Sequence, residues 1–223
     1  MEHEWNVTPA EAISIQKELQ EKVLIKPLSK PIKVIAGVDV SLNMFEKDIY
    51  AGIILFSFPD LEVLEYALVK SKTSFPYISG LLSFREIPAL LECYKKLTIK
   101  PDLIVVDGQG IAHPRRFGIA SHLGVLLNVP TIGCAKSKLY GTYKEPKKVF
   151  GESEIVNPKT EEVIGVAFKS KKNSNPLIVS PGHLVTVHES IKIIKETLHG
   201  YKLPEPTRQA HLLVNKFRKR EVK

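Results

Sequence analysis

The sequence predicts an α/β fold in which helices flank a mixed β-sheet, an antiparallel meander of three strands continued by parallel strands. Three apolar segments rich in β-branched residues follow one another before residue 72, with no helical pattern between them. Beyond that point, helical spacing alternates with short, continuous apolar runs, which is typical of parallel strands buried on both faces. The 223 residues are 43% apolar and 25% charged, which suits one core and a single domain over residues 1–223.

The first half of the chain is predicted to contain a helix, the meander and a second helix. Thr8 and Glu11 form a capping box, and Pro9 suits the first position of the helix that follows. The pair Pro59-Asp60 predicts a tight hairpin between the second and third strands. Pro88 predicts a kink or break in the second helix, because proline lacks a backbone donor. The elements in order are strands at residues 33–41, 50–58 and 61–71, a loop at 73–80 and a helix at 81–97.

The second half is predicted to alternate strands and helices. Its last two strands are expected to pair antiparallel and to approach an edge of the sheet. Residues 138–160 are polar and irregular in pattern, so no regular element is expected there. The elements are strands at 102–107, 130–137, 162–170 and 176–182, and helices at 118–128, 186–199 and 205–220.

Composition narrows the classes of function. The net charge of +8 favours a phosphate-rich partner or an acidic membrane, although ordinary surface lysine explains it equally well. Cys93 and Cys134 lie among apolar neighbours, which indicates two buried thiols in a reducing compartment and argues against a disulfide scaffold or a zinc site. No run of 18 apolar residues occurs, and the N-terminal segment resembles no export signal, so we expect a soluble, cytoplasmic protein.

Three carboxylates occur where the surrounding pattern is apolar. Asp39 lies inside the strand pattern VIAGVDVS, and Asp107 ends the run LIVVD. Glu86 shares a helical row with Leu82 and Leu90. A strand end or a helix flank explains each acid alone. Together they favour a shared Mg²⁺ or Mn²⁺ ion, because an unpaired buried carboxylate costs on the order of several kcal/mol and hard cations prefer oxygen ligands. The carboxyl edge of the parallel strands is where an open α/β sheet would gather them.

Cations and imidazoles are expected near these acids. Lys136 follows a buried strand, where an ammonium group can meet an anionic ligand or developing negative charge. His113 precedes Arg115 and Arg116, which either contact phosphate or lie solvated at the start of a helix. His211 is either a histidine at the edge of the core or a residue that reaches the metal site. A basic tail either binds backbone phosphates or only solvates a terminus; it contains Lys216, Arg218, Lys219 and Arg220.

The loop TSFPYISG at residues 73–80 has a different chemistry. Its aromatic residues Phe75 and Tyr77 either form an exposed wedge or fold into the core. Apolar wedges unstack bases, and aromatic rings stack on extruded ones. The spacing of the residues leaves both interpretations open.

Six segments of the chain resemble the endonuclease V family. They are AGVDVS, TSFPYISGLLSFREIP, DLIVVDGQGIAHPRRFGIASHLG, PTIGCAKSKLYG, VSPGHLV and LPEPTRQAH. The resemblance runs from residue 9 to residue 216, and its motifs are long and ordered. Departures are small: Ser79 and Ile87 stand where proline and glycine are common, and Cys134 replaces an aliphatic residue.

The resemblance implies a ribonuclease-H-like fold and a DNA repair endonuclease that depends on Mg²⁺, with Mn²⁺ as a substitute. Such an enzyme recognises deaminated bases, above all hypoxanthine in deoxyinosine. It hydrolyses the second phosphodiester bond 3′ to the lesion and leaves a nick with a 3′-hydroxyl and a 5′-phosphate. The implied partner is double- or single-stranded DNA containing deaminated bases, bound by a monomer that uses no nucleotide cofactor and no membrane.

The resemblance also implies roles for single residues. Asp39 and Asp107 would bind the metal ion directly, and Glu86 would complete its shell or bind through water. Lys136 and His211 would assist at the scissile phosphate.

Other residues would contact the DNA. Tyr77 would be the wedge that fills the gap left by the flipped base, and His113 would lie along the strand-binding face. A backbone N–H in the base pocket would donate a hydrogen bond to the carbonyl of hypoxanthine, and it could form none with the amine of adenine. The backbone expected to line that pocket is that of Gly80, Gly108, Gly110, Leu139 and Gly141.

Three other functions compete with this interpretation. An inosine-specific ribonuclease, or another ribonuclease-H-like nuclease, would use the same acids and metal. A phosphotransferase of the actin-like or sugar-kinase type shares the AGVDVS pattern, but the chain has no phosphate loop with GxxxxGK[ST] spacing. A non-catalytic DNA-binding module is supported by the charge alone.

Overall fold

The protein is described by a computed structural model that covers residues 3–42 and 47–221. In these residues, five helices flank one eight-stranded sheet. The helices are α1 (Pro9–Gln20), α2 (Leu82–Lys96), α3 (Ile119–Leu127), α4 (Val187–Glu196) and α5 (Glu205–Glu221). The strands are β1 (Val34–Leu42), β2 (Asp48–Ser57), β3 (Val63–Lys72), β4 (Leu103–Val106), β5 (Thr131–Ala135), β6 (Glu152–Val156), β7 (Val163–Phe168) and β8 (Leu177–His183).

The strand order is β3-β2-β1-β4-β5-β8-β7-β6, which confirms the predicted mixed α/β fold. β1, β2 and β3 form the antiparallel meander, and β4 and β5 continue it parallel to β1. This half of the sheet has the ribonuclease-H-like arrangement that the family resemblance implied. β8 then runs antiparallel to β5, and β7 and β6 follow antiparallel.

The sequence-based prediction was wrong about the far edge of the sheet. β6 lies within residues 138–160, where no regular element was expected, and it takes the edge that was predicted for β7 and β8. Among its five residues, Glu152 and Glu154 are exposed and Ile155 is buried. Such a short, half-charged segment is typical of an edge strand, where charge discourages pairing with another chain.

The helix boundaries follow the predicted signals with one exception. The side chains of Thr8 and Glu11 form the capping box at the start of α1. Pro88, in contrast, lies inside α2 without ending it. Ile87 and Leu90 are completely buried against the sheet, and this packing holds the helix on both sides of the proline.

Both faces of the sheet are covered. α2 and α3 pack on one face, and α4 and α5 pack on the other. Cys93 and Cys134 are buried free thiols, as predicted. Within the described part of the chain, none of the helices combines the length and apolar character needed to cross a membrane. The carboxyl ends of β1, β4 and β5 therefore open between α2 and α3 on one side and α5 on the other.

Candidate active site

Three acids meet at the carboxyl ends of neighbouring parallel strands. Val38 pairs with Val106 across β1 and β4, so the residues that follow them, Asp39 and Asp107, stand side by side. Glu86 joins them from the first half of α2. The three carboxylates that occur in apolar patterns of the sequence therefore lie together. The parallel register aligns the two aspartates, and α2 adds Glu86.

These acids line a cavity of about 240 Å³ that we call the carboxylate cavity. Its wall includes all five residues that the family resemblance suggested for catalysis: Asp39, Glu86, Asp107, Lys136 and His211. β5 brings Lys136, and α5 brings His211 from the opposite face of the sheet. The structure therefore brings together residues that are up to 172 positions apart in the chain.

The carboxylates in this cavity repel one another. Burial, and then the charge of Asp107, raise the pKa of Asp39 to about 6, while His211 and Lys136 oppose the shift. Burial raises the pKa of Glu86 to about 8, with further contributions from Asp39 and Asp107. Desolvation and like charges both disfavour the ionised form of a carboxyl group, so the cavity holds more negative charge than its own cations balance.

Two cationic or imidazole contacts partly compensate these acids. The Nζ atom of Lys136 forms an ion pair with Oδ2 of Asp107. Nδ1 of His211 lies 3.1 Å from Oδ2 of Asp39. Asn215, one turn further along α5, contacts Nε2 of the same imidazole at 3.1 Å and accepts a hydrogen bond from Ser41 of β1. The imidazole is thereby held between the sheet and its own helix.

The chemistry of this donor set fits a hard divalent cation. Carboxylate oxygens are the ligands that Mg²⁺ and Mn²⁺ prefer. Such an ion would offset the repulsion between the acids, which adds to burial in raising the pKa of Glu86. Among residues 3–42 and 47–221, no three His, Cys, Asp or Glu side chains already converge as metal ligands. Asp39 and Asp107 contact His211 and Lys136 instead, so these two carboxylates would have to reorient to share an ion.

A second cavity of about 400 Å³, the base cavity, opens directly beside the first. The two cavities share Glu86, Asp107 and Lys136 in their walls. Gly80, Gly108 and Leu139, which were expected to line a base pocket, do line this cavity. Tyr77 stands at its wall with 74% of its surface exposed.

The two aromatic residues of the loop before α2 lie in different environments. Phe75 is buried against Phe84, and its carbonyl accepts a hydrogen bond of 2.6 Å from Nη1 of Arg85. Tyr77, two residues later, points away from the core. Phe75 therefore folds into the core, whereas Tyr77 is exposed, and its role as a wedge stays a prediction.

One backbone carbonyl fixes the end of this loop. The oxygen of Gly80 accepts hydrogen bonds from Nε2 of Gln16 at 3.0 Å, Nε2 of His113 at 3.0 Å and Nη2 of Arg115 at 2.8 Å. Gln16 also accepts a hydrogen bond from Nε of Arg115. Gly80 has a φ of +79°, a conformation that glycine adopts without strain. We call this arrangement the Gly80 clamp.

His113, which was expected along the strand-binding face, is buried in the structure. It is 2% exposed and lies in the wall of the base cavity. Burial, and then the nearby charge of Arg115, lower its pKa to about 4. The neutral ring donates through Nε2 to Gly80 and accepts through Nδ1 from the backbone N–H of Arg115 at 3.1 Å. It is therefore a neutral member of the clamp.

Two of the glycines expected in the base pocket lie away from the wall of the cavity. The N–H of Gly110 donates to Oγ of Ser180, and a Cβ at this position would approach the Pro181 carbonyl to 2.1 Å. Gly141 has a φ of +92° and packs against Ile155. Both glycines allow close packing of chain segments, a requirement that looks the same in the sequence as close approach of a ligand.

Gln16 was not among the predicted site residues, although the sequence carried a signal for it. Gln16 follows Ala12 by four residues and precedes Leu19 by three, so it stands on the buried row of α1. This is the same kind of misplacement that identified Glu86. Ser83 and His122 were not among the predicted site residues either. Ser83 lines the base cavity, and its Oγ atom contacts Nδ1 of His122 at 3.0 Å.

Arg115 and Arg116 contact different parts of the protein. Arg115 belongs to the Gly80 clamp, and Arg116 forms an ion pair with Glu162. Neither of the two earlier interpretations, phosphate contact or a solvated start of a helix, anticipated that both side chains would bind other parts of the protein.

Comparisons with known proteins agree with this geometry. A family model described as Endonuclease V matches residues 17–212. The chain is 43% identical over 220 residues to Endonuclease V of Kosmotoga olearia, which covers 99% of this chain and 96% of that protein. It is 46% identical over 213 residues to Endonuclease V of Dictyoglomus thermophilum, with 96% and 92% covered.

Solved structures show the same similarity in three dimensions. The crystal structure of Endonuclease V from Streptomyces avermitilis superposes with a TM-score of 0.90 at 34% identity, covering 98% of this chain and 96% of that one. Ciona intestinalis Endonuclease V, at 31% identity and a TM-score of 0.84, covers 95% of this chain and 98% of that one. That protein was crystallised in complex with a 24mer DNA containing an inosine followed by a ribo-adenosine.

Proposed function

We propose that this chain, which belongs to the endonuclease V family, is a Mg²⁺-dependent nuclease that nicks DNA at the second phosphodiester bond 3′ to a deaminated base. The observation that carries the proposal is the pair of adjoining cavities, one lined by carboxylates and one sized for a base, with Glu86, Asp107 and Lys136 in the wall between them. A base held in one cavity would leave a neighbouring phosphate of the same strand at the other, so the cut would fall beside the lesion.

In the carboxylate cavity, Asp39, Asp107 and Glu86 would hold the ion. When bound there, Mg²⁺ supplies charge neutralisation at the phosphate and activation of the attacking water. Lys136 lies at the same wall, where its ammonium group would stabilise the negative charge that gathers on the phosphate. His211 would orient the Asp39 carboxylate through their contact of 3.1 Å.

In the base cavity, hydrogen-bond polarity would select the lesion. Adenine presents an amine donor at position 6, whereas hypoxanthine presents a carbonyl acceptor there. Three donors already occupy the Gly80 carbonyl, so this oxygen is not available to an adenine amine. Tyr77, exposed at the mouth, would occupy the space that the extruded base leaves in the duplex.

The cellular setting belongs to the same proposal. We place the protein in DNA repair in the cytoplasm, acting as a monomer on double- or single-stranded DNA without a nucleotide cofactor. An inosine-specific ribonuclease is the second candidate, and the observation in its favour is the ribo-adenosine that follows the inosine in the Ciona complex.

A panel of four labelled substrates tests the proposal: duplex DNA with one inosine, the same duplex with adenine, inosine-containing RNA and an RNA–DNA hybrid without inosine. We expect Mg²⁺-dependent nicking of the inosine duplex and no cleavage of the adenine duplex. Preferential cleavage of inosine RNA would transfer the assignment to the ribonuclease. Cleavage of the hybrid irrespective of inosine would contradict lesion recognition altogether.

A further inference from the structure

The sheet edge that carries the candidate active site continues well beyond it. Ala135 at the end of β5 pairs with Ile178 at the start of β8, and Leu177 pairs with Phe168 at the end of β7. Phe168 in turn pairs with Glu152, the first residue of β6. The segments just after β7 and just before β6 therefore lie at the same edge of the sheet as Lys136, on the side away from β1.

Those two segments form a basic surface around an exposed aromatic ring. Lysines 147, 148, 171 and 172 are exposed, and Phe150 is 62% exposed beside them. We call this surface the distal ridge; it comprises Lys147, Lys148, Phe150, Lys171 and Lys172. Across the described part of the chain, these four lysines form no ion pair with an acid, and the nearby Glu152 is paired with Lys195.

The distal ridge is held in place by the backbone. The N–H of Phe150 donates to the Lys169 carbonyl at 2.7 Å, and the N–H of Lys169 donates to the Gly151 carbonyl at 3.0 Å. Phe150 has a φ of +60°, which is unfavourable for a bulky residue. The fold thus presents this ring to solvent in a conformation that the surrounding hydrogen bonds maintain.

We infer that the distal ridge binds the DNA strand on the 5′ side of the lesion. This inference rests on the proposed function. The carboxylate cavity lies at β1 and β4, the base cavity at β4 and β5, and the distal ridge further along the same edge. Since the cut falls 3′ to the lesion, a strand that follows this edge reaches the ridge with its 5′ part. Unpaired lysines suit phosphates, and an exposed ring suits stacking on a base.

The basic end of α5 lies on the other side of the two cavities. α5 packs on β1 and β2, and Nη1 of Arg218 donates to the carbonyl of Leu42 at the end of β1. Lys216, Lys219 and Arg220 therefore lie beyond the carboxylate cavity on the side opposite the distal ridge. Positive charge thus flanks the two cavities on both sides, which is what a strand bound through both of its flanks requires.

Binding of inosine duplexes with unequal flanks tests the inference. One duplex has a long 5′ flank and a short 3′ flank, and a second duplex has the reverse. The variant replaces the four ridge lysines with glutamine (Lys147→Gln, Lys148→Gln, Lys171→Gln and Lys172→Gln), and the matched control makes the same change at four exposed lysines elsewhere, Lys26, Lys33, Lys159 and Lys192. Affinity is measured by fluorescence anisotropy over a range of salt concentrations without Mg²⁺.

We expect the ridge variant to bind the duplex with the long 5′ flank roughly tenfold more weakly and to reduce its salt slope by about two to three, because each phosphate contact contributes about 0.9 to that slope. The duplex with the long 3′ flank and the control variant should keep wild-type affinity. In Phe150→Ala we expect a roughly tenfold loss when the 5′ flank is single-stranded.

Wild-type affinity and salt slope in the ridge variant would overturn the inference, and so would a loss that follows the 3′ flank. Nicking of the inosine duplex by the wild type is measured in parallel. Its absence would count against the proposed function, whereas normal nicking with an unaffected ridge variant would count against the distal ridge alone.

Discussion

The two adjoining cavities differ in how well the protein itself compensates their charged and polar groups. In the carboxylate cavity, buried acids repel one another, and the pKa of Glu86 rises to about 8. In the base cavity, neutral His113 and Gln16 join Arg115 in satisfying a single carbonyl, that of Gly80. The first cavity therefore calls for an added cation, whereas the Gly80 carbonyl at the second is satisfied by side chains of the protein itself. Under the proposed function, recognition would therefore rest on preorganised groups and the chemistry on an added ion.

The largest expected effect comes from removing an acid of the carboxylate cavity. In Asp39→Ala or Asp107→Ala we expect nicking of an inosine duplex to fall on the order of a thousandfold, because the phosphate loses the ion that would neutralise it. Binding of the same duplex without Mg²⁺ should stay within a few-fold of wild type. Asp60→Ala, at an exposed turn near the opposite edge, is the control. Nicking at the wild-type rate by either variant would refute the assignment of the metal site.

A smaller and more selective effect is expected at the mouth of the base cavity. Tyr77→Ala should slow nicking of duplex inosine DNA roughly tenfold or more, since the wedge would no longer fill the gap left by the base. Single-stranded inosine DNA should be affected much less, because it has no stack to open. The comparison variant is Tyr66→Ala, which removes another exposed tyrosine from β3. Equal losses on both substrates would show that Tyr77 has a role other than that of a wedge.

The Gly80 clamp should show its effect in stability and in discrimination. Gln16→Ala removes the hydrogen bonds from Gln16 to the Gly80 and Phe117 carbonyls, and it removes the acceptor of Nε of Arg115. We expect a loss of about 1–3 kcal/mol in the free energy of unfolding, measured with a chemical denaturant, and a several-fold lower preference for inosine over adenine. Ser14→Ala on the exposed side of the same helix serves as the control. Unchanged stability and preference would exclude a positioning role for the clamp.

The smallest expected effect is the pH dependence of stability without divalent cations. The pKa values of Asp39 and Glu86 are raised in the folded protein, to about 6 and about 8. The folded state therefore holds more protons than the unfolded state between about pH 4 and pH 8, and its stability falls as the pH rises through that window. We expect the part of this fall that comes from Glu86, a few degrees in Tm, to disappear in Glu86→Gln. A variant that keeps the wild-type pH dependence would show that Glu86 ionises normally.

The sequence alone was sufficient to identify the acids that occur where the surrounding pattern is apolar. Asp39 and Asp107 stand in apolar runs, and Glu86 stands on an apolar helical row. The parallel register of β1 and β4 then brings the two aspartates together. β6 escaped prediction because its five residues carry two exposed glutamates and gain their order by pairing with β7.

The contacts of the base cavity were less accessible to sequence reasoning. The role of His113 depends on Gly80, which lies 33 residues earlier in the chain. The packing of Gly110 depends on Ser180, 70 residues later. A glycine or a histidine in a loop looks the same in a sequence whether a ligand or a distant part of the chain approaches it. Gln16 was the exception, since its place on the buried row of α1 was readable from the sequence.

The proposed function is tested most directly by nicking of a duplex with one central inosine, labelled on the inosine strand and titrated with Mg²⁺. We expect no product in the presence of a chelator, and product that rises with Mg²⁺ until the site is saturated. We also expect one cut, at the second phosphodiester bond 3′ to the inosine, with a 3′-hydroxyl end. Cleavage that persists in the chelator, or a cut on the 5′ side of the inosine, would contradict the assignment of the two cavities.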